Sequence, residues 1–393
     1  MNTPVIRTGH KIAYWLETHW VAPAYAGWLL GSLALFFFGA ASNTMAGWLY
    51  VISGVTLAML GMAAVLPVRS LTTLQVRRRP IGPVSVGDQL TIELEIENTT
   101  DQPKTLLQVV DVLPFVLGQP APRAIEVIPS QGIYLDTYYH PTQQRGVYRW
   151  NEVELRTAAP LGLFWCRRSR SAKATAIVYP TVLPLTTCPL VDRMGQQESP
   201  QFYESKRSQM ATEGITRTLR PYRHGDPTRL IHWRTSARYG EFRVRELEVS
   251  TGSQEIIISL DSAAAWQHSD FEQAVIAAAS LYFYASKRQL NVKLWTAGTG
   301  EVSSSRGVLE ALAAVNASED AAFGLPRAPL VWLSQNPGSL SSLPPGSRWV
   351  LWSPEEVLGE EKILGKQDFP GLEIRRDEPL ELQLQRVLSR VRG

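Results

Sequence analysis

The sequence predicts a multidomain protein built from a two-helix transmembrane hairpin, an all-β sandwich and a doubly wound α/β domain, in that order. Three observations support this fold class. Two uncharged apolar runs near the N-terminus have about the 20 residues that span a bilayer core. A region of alternating apolar and polar residues follows, and the last part of the chain alternates strand-like and helix-like segments. With 393 residues and 45% hydrophobic content, the chain is long enough for several domains and too apolar to be disordered.

The apolar runs cover residues 24–41 and 45–68, and three polar residues separate them. A secretory signal peptide is the alternative interpretation of the first run, but this run lies late and a second follows almost at once. Basic residues precede the first run and follow the second, whereas the turn between them is uncharged. The positive-inside rule therefore predicts that both termini and all soluble domains are cytoplasmic. Residues 1–23 would form an N-terminal tail on the membrane surface.

Residues 80–180 show the two-residue period of half-buried strands. In the run TIELEIEN, residues 91–98, the apolar side chains fall on one face and the charged ones on the other. Several short strands without a helical period are typical of a small antiparallel sandwich, which we expect to be a spacer or docking module. Residues 181–212 are predicted to be a polar linker. The further strands of the sandwich are predicted at residues 106–112, 125–128, 133–139, 147–155 and 175–179.

Residues 213–393 are predicted to form the α/β domain. The run EIIISL, residues 255–260, is almost wholly apolar, which is typical of a central parallel strand. Alternation of strands with helices predicts a doubly wound sheet that is covered on both faces. Further strands are predicted at residues 291–295, 330–333 and 349–352, and helices at residues 271–287, 307–315 and 380–391.

The most unusual stretch covers residues 213–246, because it is rich in arginine and contains no lysine. A guanidinium group holds carboxylates or phosphates bidentately, so arginines alone indicate fixed geometry more than bulk charge. Asp226 as the cap, Pro227 at the first helical position and Gly240 just past the end predict a short helix between them. The arginines are Arg217, Arg220, Arg223, Arg229, Arg234, Arg238, Arg243 and Arg245.

Leu230, Trp233 and Ala237 fall on one face of this predicted helix, so we expect the helix to dock on its surroundings through them. The arginines have two interpretations. In the first, four of them form an internal network with the carboxylates of the stretch, and the rest form a functional surface. The network would join Arg220, Arg229, Arg238 and Arg245 to Glu213, Asp226, Glu241 and Glu246.

In the second interpretation, the arginines grip phosphates while Tyr222, Trp233 and Tyr239 stack on bases of a nucleic acid. The net charge of the whole chain is only +3, so the overall field favours no particular polyanion. Any preference for an anion would have to come from the geometry of this stretch.

The stretch is similar, in order and spacing, to the signature of the bacterial DUF58 family, whose members are membrane-tethered and carry a von Willebrand factor A-like domain. The residues that carry the resemblance are Arg220, Tyr222, Gly225-Asp226, Arg229, Ile231-His232-Trp233, Ser236-Ala237-Arg238 and Val244-Arg245-Glu246. Arg145-Gly146, Pro160 to Phe164 and Val178 to Pro180 resemble landmarks that precede the signature in the family. Ala159 departs from the pattern, since relatives commonly carry an acidic residue there.

The resemblance implies a von Willebrand A-like fold for residues 213–393, an inner (plasma) membrane location and a MoxR-type AAA+ ATPase as partner. From the residues themselves, and not from the resemblance, we expect no catalysis and no cofactor. The binding residues that it implies are Arg220, Tyr222, Gly225, Asp226, Arg229, His232, Trp233, Arg238, Arg245 and Glu246.

Von Willebrand A-like domains that hold a divalent cation place an aspartate and two hydroxyl residues at the end of the first strand. Here Asp261 stands at that end, but Ala263 and Ala265 occupy the hydroxyl positions. We therefore expect a degenerate site without a functional metal, in which Asp261 has a capping or strand-end role. A metal-dependent hydrolase is the corresponding alternative function.

No residue is assigned a catalytic role. The six histidines have no HExxH spacing, and the chain has no GxSxG motif. The two cysteines, Cys166 and Cys188, are expected to be reduced thiols, with a disulfide as the alternative. Together, these features predict a membrane-anchored interaction or assembly factor, with a phosphate- or nucleic-acid-binding module as the alternative.

Overall fold

The computed structural model describes residues 13–118, 121–194, 216–223, 228, 231–247, 255–352 and 369–386. The chain divides into two compact units, Met1–Tyr179 and Pro180–Gly393. We call them unit 1 and unit 2, and each is described by itself.

Unit 1 begins with helix α1 at residues 13–19, followed by α2, Tyr25–Thr44, and α3, Gly47–Thr72. Helices α2 and α3 are long and apolar enough to cross a membrane, and only 17% and 22% of their most apolar windows are buried. Both extend beyond the predicted runs. The outward-facing apolar surface suggests that the two helices insert into a membrane.

The rest of unit 1 consists of two sheets packed face to face. The larger has the order β1-β9-β8-β5-β6 with β3 beside β9, and the smaller has the order β2-β4-β7. Both sheets contribute to one core, in which Leu94 and Ile96 of the smaller sheet meet Val109 and Leu155 of the larger. The strands are β1 Ala22–Pro23, β2 Leu74–Arg78, β3 Val84–Ser85, β4 Gln89–Asn98, β5 Lys104–Asp111, β6 Arg123–Ile128, β7 Ile133–Pro141, β8 Gly146–Thr157 and β9 Phe164–Tyr179.

All six strands predicted for residues 80–180 are present, but β9 is much longer than the predicted 175–179. Its first half contains Arg167, Arg168 and Arg170, whose charges hide the alternating pattern. Strands β1 and β2 were not predicted, because they lie within stretches interpreted as the tail and as the basic flank of the second span.

Unit 2 is built on a six-stranded sheet of order β14-β13-β12-β15-β16-β17, parallel except for β14. A separate two-stranded ribbon is formed by β10 and β11. The strands are β10 Thr216–Pro221, β11 Arg243–Leu247, β12 Glu255–Leu260, β13 Asn291–Thr296, β14 Gly300–Val302, β15 Leu330–Ser334, β16 Arg348–Trp352 and β17 Gly371–Ile374. The helices are α4 Pro189–Asp192, α5 Trp233–Tyr239, α6 His268–Lys287, α7 Ser305–Ala314 and α8 Leu380–Leu384.

The two faces of the main sheet are covered differently. Helices α6, α7 and α8 supply the core on one face. On the other face, Trp295, Trp332 and Trp349 pack with Leu340 of a 3-10 helix, Pro337–Ser342. Within the described residues, the predicted helical cover on both faces is therefore found on one face only.

Helix α8 also differs from the sequence prediction of a helix over residues 380–391. It ends at Leu384, where Gln385 is the C-cap. Residues 387–391 lie outside the described part of the chain.

The segment predicted as a linker is in part a piece of the unit 2 core. Leu185, Cys188 and Leu190 are buried against the sheet and α6. Tyr284 of α6 donates a hydrogen bond to Asp192 at 2.9 Å, which fixes the segment further. The prediction of a linker is thus wrong for this half of residues 181–212, whose apolar residues have no regular spacing to reveal them. Both cysteines are free and buried.

Candidate functional site

The arginine stretch forms a ribbon with a short helix lying across its turn. Strands β10 and β11 pair antiparallel, with Arg220 opposite Val244. The pairing continues past the strand, because the Tyr222 amide donates to the Phe242 carbonyl at 2.8 Å. Ile231 forms an isolated bridge with Val244 on the other side. These contacts bring both ends of the stretch together.

Helix α5 begins later than the sequence predicts. Ile231 is buried in its bridge to β11, and His232 has a ψ of 82°, outside the helical region, so neither is helical. His232 caps the helix, since its Nδ1 accepts from the Thr235 amide at 3.2 Å. Gly240, with φ of 70°, ends the helix in the left-handed conformation as predicted. Pro227, the predicted start, lies outside the described residues.

The helix is held by hydrogen bonds and not by the predicted apolar face. Trp233 is 63% exposed and Ala237 is also exposed, whereas Ser236 is buried. Its hydroxyl accepts from the Arg243 amide at 2.8 Å and donates to the His232 carbonyl at 3.1 Å. The prediction that Trp233 and Ala237 dock the helix is therefore wrong, because a buried serine performs that role. Leu230, the third residue of that face, lies outside the described residues.

Aromatic side chains line a surface concavity beside the helix. Phe242 makes edge contacts with Tyr222 and Trp233, at centroid distances of 6.2 Å and 5.9 Å. The concavity has a volume of about 650 Å³. Its lining consists of Pro221, Tyr222, Trp233, Ser236, Ala237, Gly240, Glu241 and Phe242.

The arginines around the concavity differ in their partners. Arg243 lies over the Tyr239 ring at 5.2 Å and is paired with Glu241 at 3.9 Å. Arg234 and Arg238 are exposed on α5, and within the described part of the chain neither forms an ion pair or hydrogen bond. Glu241 therefore pairs with Arg243, an arginine that the predicted network did not include. We call Trp233, Arg234, Arg238, Tyr239 and Phe242 the arginine–aromatic surface.

Five of the ten predicted binding residues are brought together on the ribbon and helix, namely Arg220, Tyr222, His232, Trp233 and Arg238. Arg245 and Glu246 lie in β11, with their backbones opposite Leu219 and Thr218; their side chains lie outside the described part. Gly225, Asp226 and Arg229 lie outside the described residues, as does Glu213.

Asp261 joins the ends of two neighbouring strands. Its carboxylate accepts from the Ser334 hydroxyl at 2.7 Å, and its amide donates to the Leu333 carbonyl at 2.9 Å. Burial raises the pKa of the Asp261 carboxyl above its usual range, although the Ser334 hydroxyl acts in the opposite direction. Asp261 thus has the geometry of a strand-end bridge.

The residues around Asp261 do not fit a divalent-cation site. Mg²⁺ requires several hard oxygen ligands, but Ala263 and Ala265 offer no side-chain oxygen. The Ser262 hydroxyl, a third oxygen nearby, accepts from the Ala297 amide at 3.0 Å. In the ranges that the structure describes, no three His, Cys, Asp or Glu side chains are grouped as a metal site.

Sequence reasoning missed a polar cluster at the same edge of the sheet. Asp270, in the first turn of α6, is buried and accepts from Gln335 at 2.7 Å and from Arg376 at 2.8 Å. The cluster connects α6 with the segments that follow β15 and β17. The available signal was a carboxylate in the first turn of a helix, together with a glutamine just after a strand.

Two helices that are long and apolar enough to cross a membrane precede a sheet-rich unit and an α/β unit. This layout fits a multidomain protein that associates with a membrane. Residues 218–308, from β10 into α7, match the sequence model of the family described as a protein of unknown function, DUF58. This match supports the DUF58 family.

Comparison with curated proteins finds no match. Among solved structures, a CARDB domain from Pyrococcus furiosus is similar at 13% identity, covering 26% of this chain and 93% of that chain with a TM-score of 0.18. A β-glucosidase from Listeria innocua is 13% identical, covering 26% of this chain and 16% of its own, with a TM-score of 0.16. An exo β-N-acetylglucosaminidase from Vibrio harveyi is 7% identical over 67% of this chain and 31% of its own, with a TM-score of 0.17. Scores this low support no assignment of fold or function.

Proposed function

We propose that this protein is a membrane-anchored interaction or assembly factor of the DUF58 family, with no catalysis of its own, and that its arginine–aromatic surface binds a partner protein. The observation that carries the proposal is the exposure of Trp233, Tyr239 and Phe242 beside Arg234 and Arg238. Tryptophan, tyrosine and arginine are the side chains that most often dominate the binding energy at protein interfaces.

The chemistry of the arginine–aromatic surface indicates which side chains a partner should present. Arg234 and Arg238 are one helical turn apart, so their guanidinium groups can bind neighbouring carboxylates bidentately. The concavity beside them admits an aromatic or aliphatic side chain. We therefore propose a partner segment that combines acidic residues with an apolar anchor.

The family resemblance supplies the finer proposal. We propose that the partner is a MoxR-type AAA+ ATPase, that residues 213–393 have a von Willebrand A-like fold and that both units face the cytoplasm. Spheroplasts and inverted membrane vesicles test the orientation, because an added protease should digest both units only in the inverted vesicles.

The partner proposal is tested by substituting both exposed arginines. Loss of an arginine that anchors an interface costs about 2 kcal/mol or more, so we expect Arg234→Ala with Arg238→Ala to lower the affinity at least about thirtyfold. The double lysine variant should lose most of this affinity too, because lysine keeps the charge but not the planar fork. The measurement is recovery of the ATPase with the tagged full-length protein from native membranes, followed by titration of the purified pair.

Arg327→Ala is the matched control. Arg327 is exposed in unit 2 and, within the described residues, forms no ion pair. Its substitution should leave partner recovery unchanged. Equal recovery of the partner by the wild type and the double alanine variant would reject the arginine–aromatic surface as the binding site.

A phosphate- or nucleic-acid-binding module is the second candidate, favoured by the exposed rings of Trp233 and Tyr239 beside two cations. This function predicts that the protein binds single-stranded polyanions and that the affinity falls steeply as the salt concentration rises. The double lysine variant should keep this binding, because a point charge is sufficient to bind a phosphate. Absence of binding at low salt would exclude it.

A further inference from the structure

The turn between β8 and β9, residues 158–163, contacts the two apolar helices directly. Leu163 is buried in a cluster with Leu60 and Ala63 of α3, with Leu30 of α2 packed against it. The Leu163 carbonyl accepts a hydrogen bond from the Ala24 amide at 2.8 Å. The turn therefore belongs to the helical hairpin as much as to the sheets.

The backbone of α2 approaches this turn closely. Gly27 has no side chain, and a Cβ placed there would lie 2.3 Å from the Leu163 carbonyl oxygen. Just before the helix, β1 pairs with the start of β9, placing Ala22 opposite Trp165. The chain thus enters the first span as an edge strand of the larger sheet. A strand pair and a glycine contact fix the depth of the turn relative to the helices.

Helix geometry gives that depth. A helix rises about 1.5 Å per residue, so Leu30 lies roughly 8 Å along α2 from Tyr25. By the same rise, Leu60 lies about 20 Å from Gly47, which begins α3 at the far side of the hairpin. With Tyr25 at the near boundary and Gly47 at the far boundary of a hydrocarbon core of about 30 Å, both helices place Leu163 roughly 8–10 Å inside the near boundary. This is the depth of lipid acyl chains.

Two apolar side chains at this end of the sheet remain exposed to solvent in the described part of unit 1. Leu161, on the turn itself, is 45% exposed and Leu106 is 66% exposed. Leu106 neighbours the turn, because its carbonyl accepts from the Thr157 hydroxyl at 3.0 Å. Its φ of 53° interrupts the strand pairing of β5. Single exposed leucines are ordinary on soluble proteins, but these two border the candidate spans.

A charged and aromatic layer borders the same region. The carboxylate of Glu17 in α1 is buried and forms ion pairs with the guanidinium groups of Arg156, at 2.7 Å, and Arg167, at 3.2 Å. Trp15 and Trp20, on and just after α1, are exposed, as is expected of side chains at the headgroup level. An aromatic layer beside an apolar tip is the arrangement of an element that lies in the membrane interface.

We propose that the β8–β9 turn is inserted into the same lipid leaflet as α2 and α3, with Leu161 and Leu106 in contact with phospholipid acyl chains. The inference rests on the membrane anchoring in the proposed function and adds a lipid-binding edge to the sandwich. The sequence predicts a spacer or docking module, and the inference makes this domain one that is held against the bilayer surface.

The test uses the full-length protein in vesicles of phosphatidylcholine and phosphatidylglycerol, with an environment-sensitive fluorophore on Leu161→Cys. The native Cys166 and Cys188 are buried, and burial raises the pKa of both thiols, that of Cys188 to about 11, so they label slowly. Val116→Cys is the matched control, because Val116 is an exposed apolar residue on a different turn of the sandwich.

We expect the probe at 161 to emit at shorter wavelength, to be quenched by a lipid with a nitroxide high on its acyl chain and to lose most of its quenching by aqueous iodide. The probe at 116 should show the opposite. In Gly27→Leu, which forces α2 and the turn apart, the probe at 161 should regain quenching by iodide.

The insertion would be overturned if iodide quenched the probes at 161 and 116 equally and the nitroxide lipid quenched neither. This conclusion requires that the protein stay in the vesicles during alkaline extraction. Release of the protein by alkaline extraction would instead overturn the anchoring itself, and the insertion with it. The two failures are therefore distinguishable.

Discussion

Arg78 and Asp111 form an ion pair that is buried between the two sheets of unit 1. Each side chain is only 1% exposed. The Asp111 carboxylate also accepts from Tyr138 at 2.7 Å and from Trp150 at 3.0 Å. Burial lowers the pKa of the Arg78 guanidinium, while Asp111 acts in the opposite direction. The charges are thus paired within one network, although the buried Nε of Arg78 has no hydrogen-bond partner in the described part of the chain. Because its members share partners, the network is sensitive to the loss of any one of them.

Arg78→Ala should destabilise the protein strongly, because it leaves the Asp111 carboxylate buried without its cation. Removal of one partner of a buried pair costs about 3–5 kcal/mol. The neighbouring Arg77 is the control: its side chain is 69% exposed and lies 3.7 Å from Glu97. Arg77→Ala should cost about 0–1 kcal/mol. The measurement is the thermal unfolding midpoint of the detergent-purified full-length protein, and similar shifts for the two variants would contradict this account.

Asp261 predicts a pH dependence of stability. Because burial raises its pKa in the folded state, the folded chain binds a proton more tightly than the unfolded chain does. Its contribution to stability is therefore highest below the ordinary aspartate pKa and falls as the pH rises through that value towards the folded-state pKa. In Asp261→Asn this fall is absent, while the amide oxygen can still accept from Ser334.

The difference between the two unfolding midpoints, variant minus wild type, should thus increase from pH 3 towards neutral pH. The reason is that ionisation of Asp261 lowers the stability of the wild type by about 1.4 kcal/mol for each unit by which its pKa differs between the folded and unfolded chain. Thermal unfolding across this pH range gives the measurement. Asp320→Asn, which removes an exposed carboxylate from the same unit, is the control. A pH-independent midpoint difference for Asp261→Asn would show that burial does not perturb this group.

At the scale of elements, the pattern of apolar residues was sufficient to predict most strands and helices. The six predicted sandwich strands are all present, and most of them show the two-residue alternation of a half-buried strand. The four predicted strands of the main sheet are also present, and three of them are short runs that are buried almost throughout. Strands β14 and β17, of three and four residues, are too short to show a period. The buried half of the predicted linker was missed for a related reason, because tertiary contacts alone bury its leucines.

The sequence was sufficient to predict which residues form the site, but not how the fold arranges them. Gly240 ended α5 where the left-handed residue was expected, because glycine makes this preference local. The start of the helix was not predictable, since it depends on the bridge of Ile231 to Val244, a long-range contact. The same holds for Ser236, whose burial follows from the amide of Arg243 across the ribbon. Local rules fixed the end of the helix, and tertiary pairing fixed its beginning.

At the scale of the whole molecule, the two units differ in how they depend on the N-terminal segment. In the described part of the chain, the buried residues of the helix-covered core of unit 2 all belong to that unit, from Leu185 to Leu384. Unit 1 includes the apolar helices in its structure, because Leu71 of α3 is buried in the core of the two sheets. Arg170 of β9 donates to the Leu71 carbonyl at 2.6 Å, which ties the end of α3 to the sheet.

Deletion of the first 72 residues should therefore disrupt unit 1 and leave unit 2 folded. The deletion removes β1, the Glu17 ion pairs and Leu71, and burial of one leucine alone contributes about 1.5–3 kcal/mol. It also exposes apolar strand surface that favours aggregation. A fragment of residues 73–179 should aggregate or unfold without a cooperative transition, whereas residues 180–393 should remain monodisperse with one. Size exclusion and thermal unfolding of both fragments provide the measurement. A monodisperse, cooperatively folded fragment 73–179 would show that the sandwich is independent of the hairpin, and that the contacts of Glu17, Gly27 and Leu71 position the domain without stabilising it.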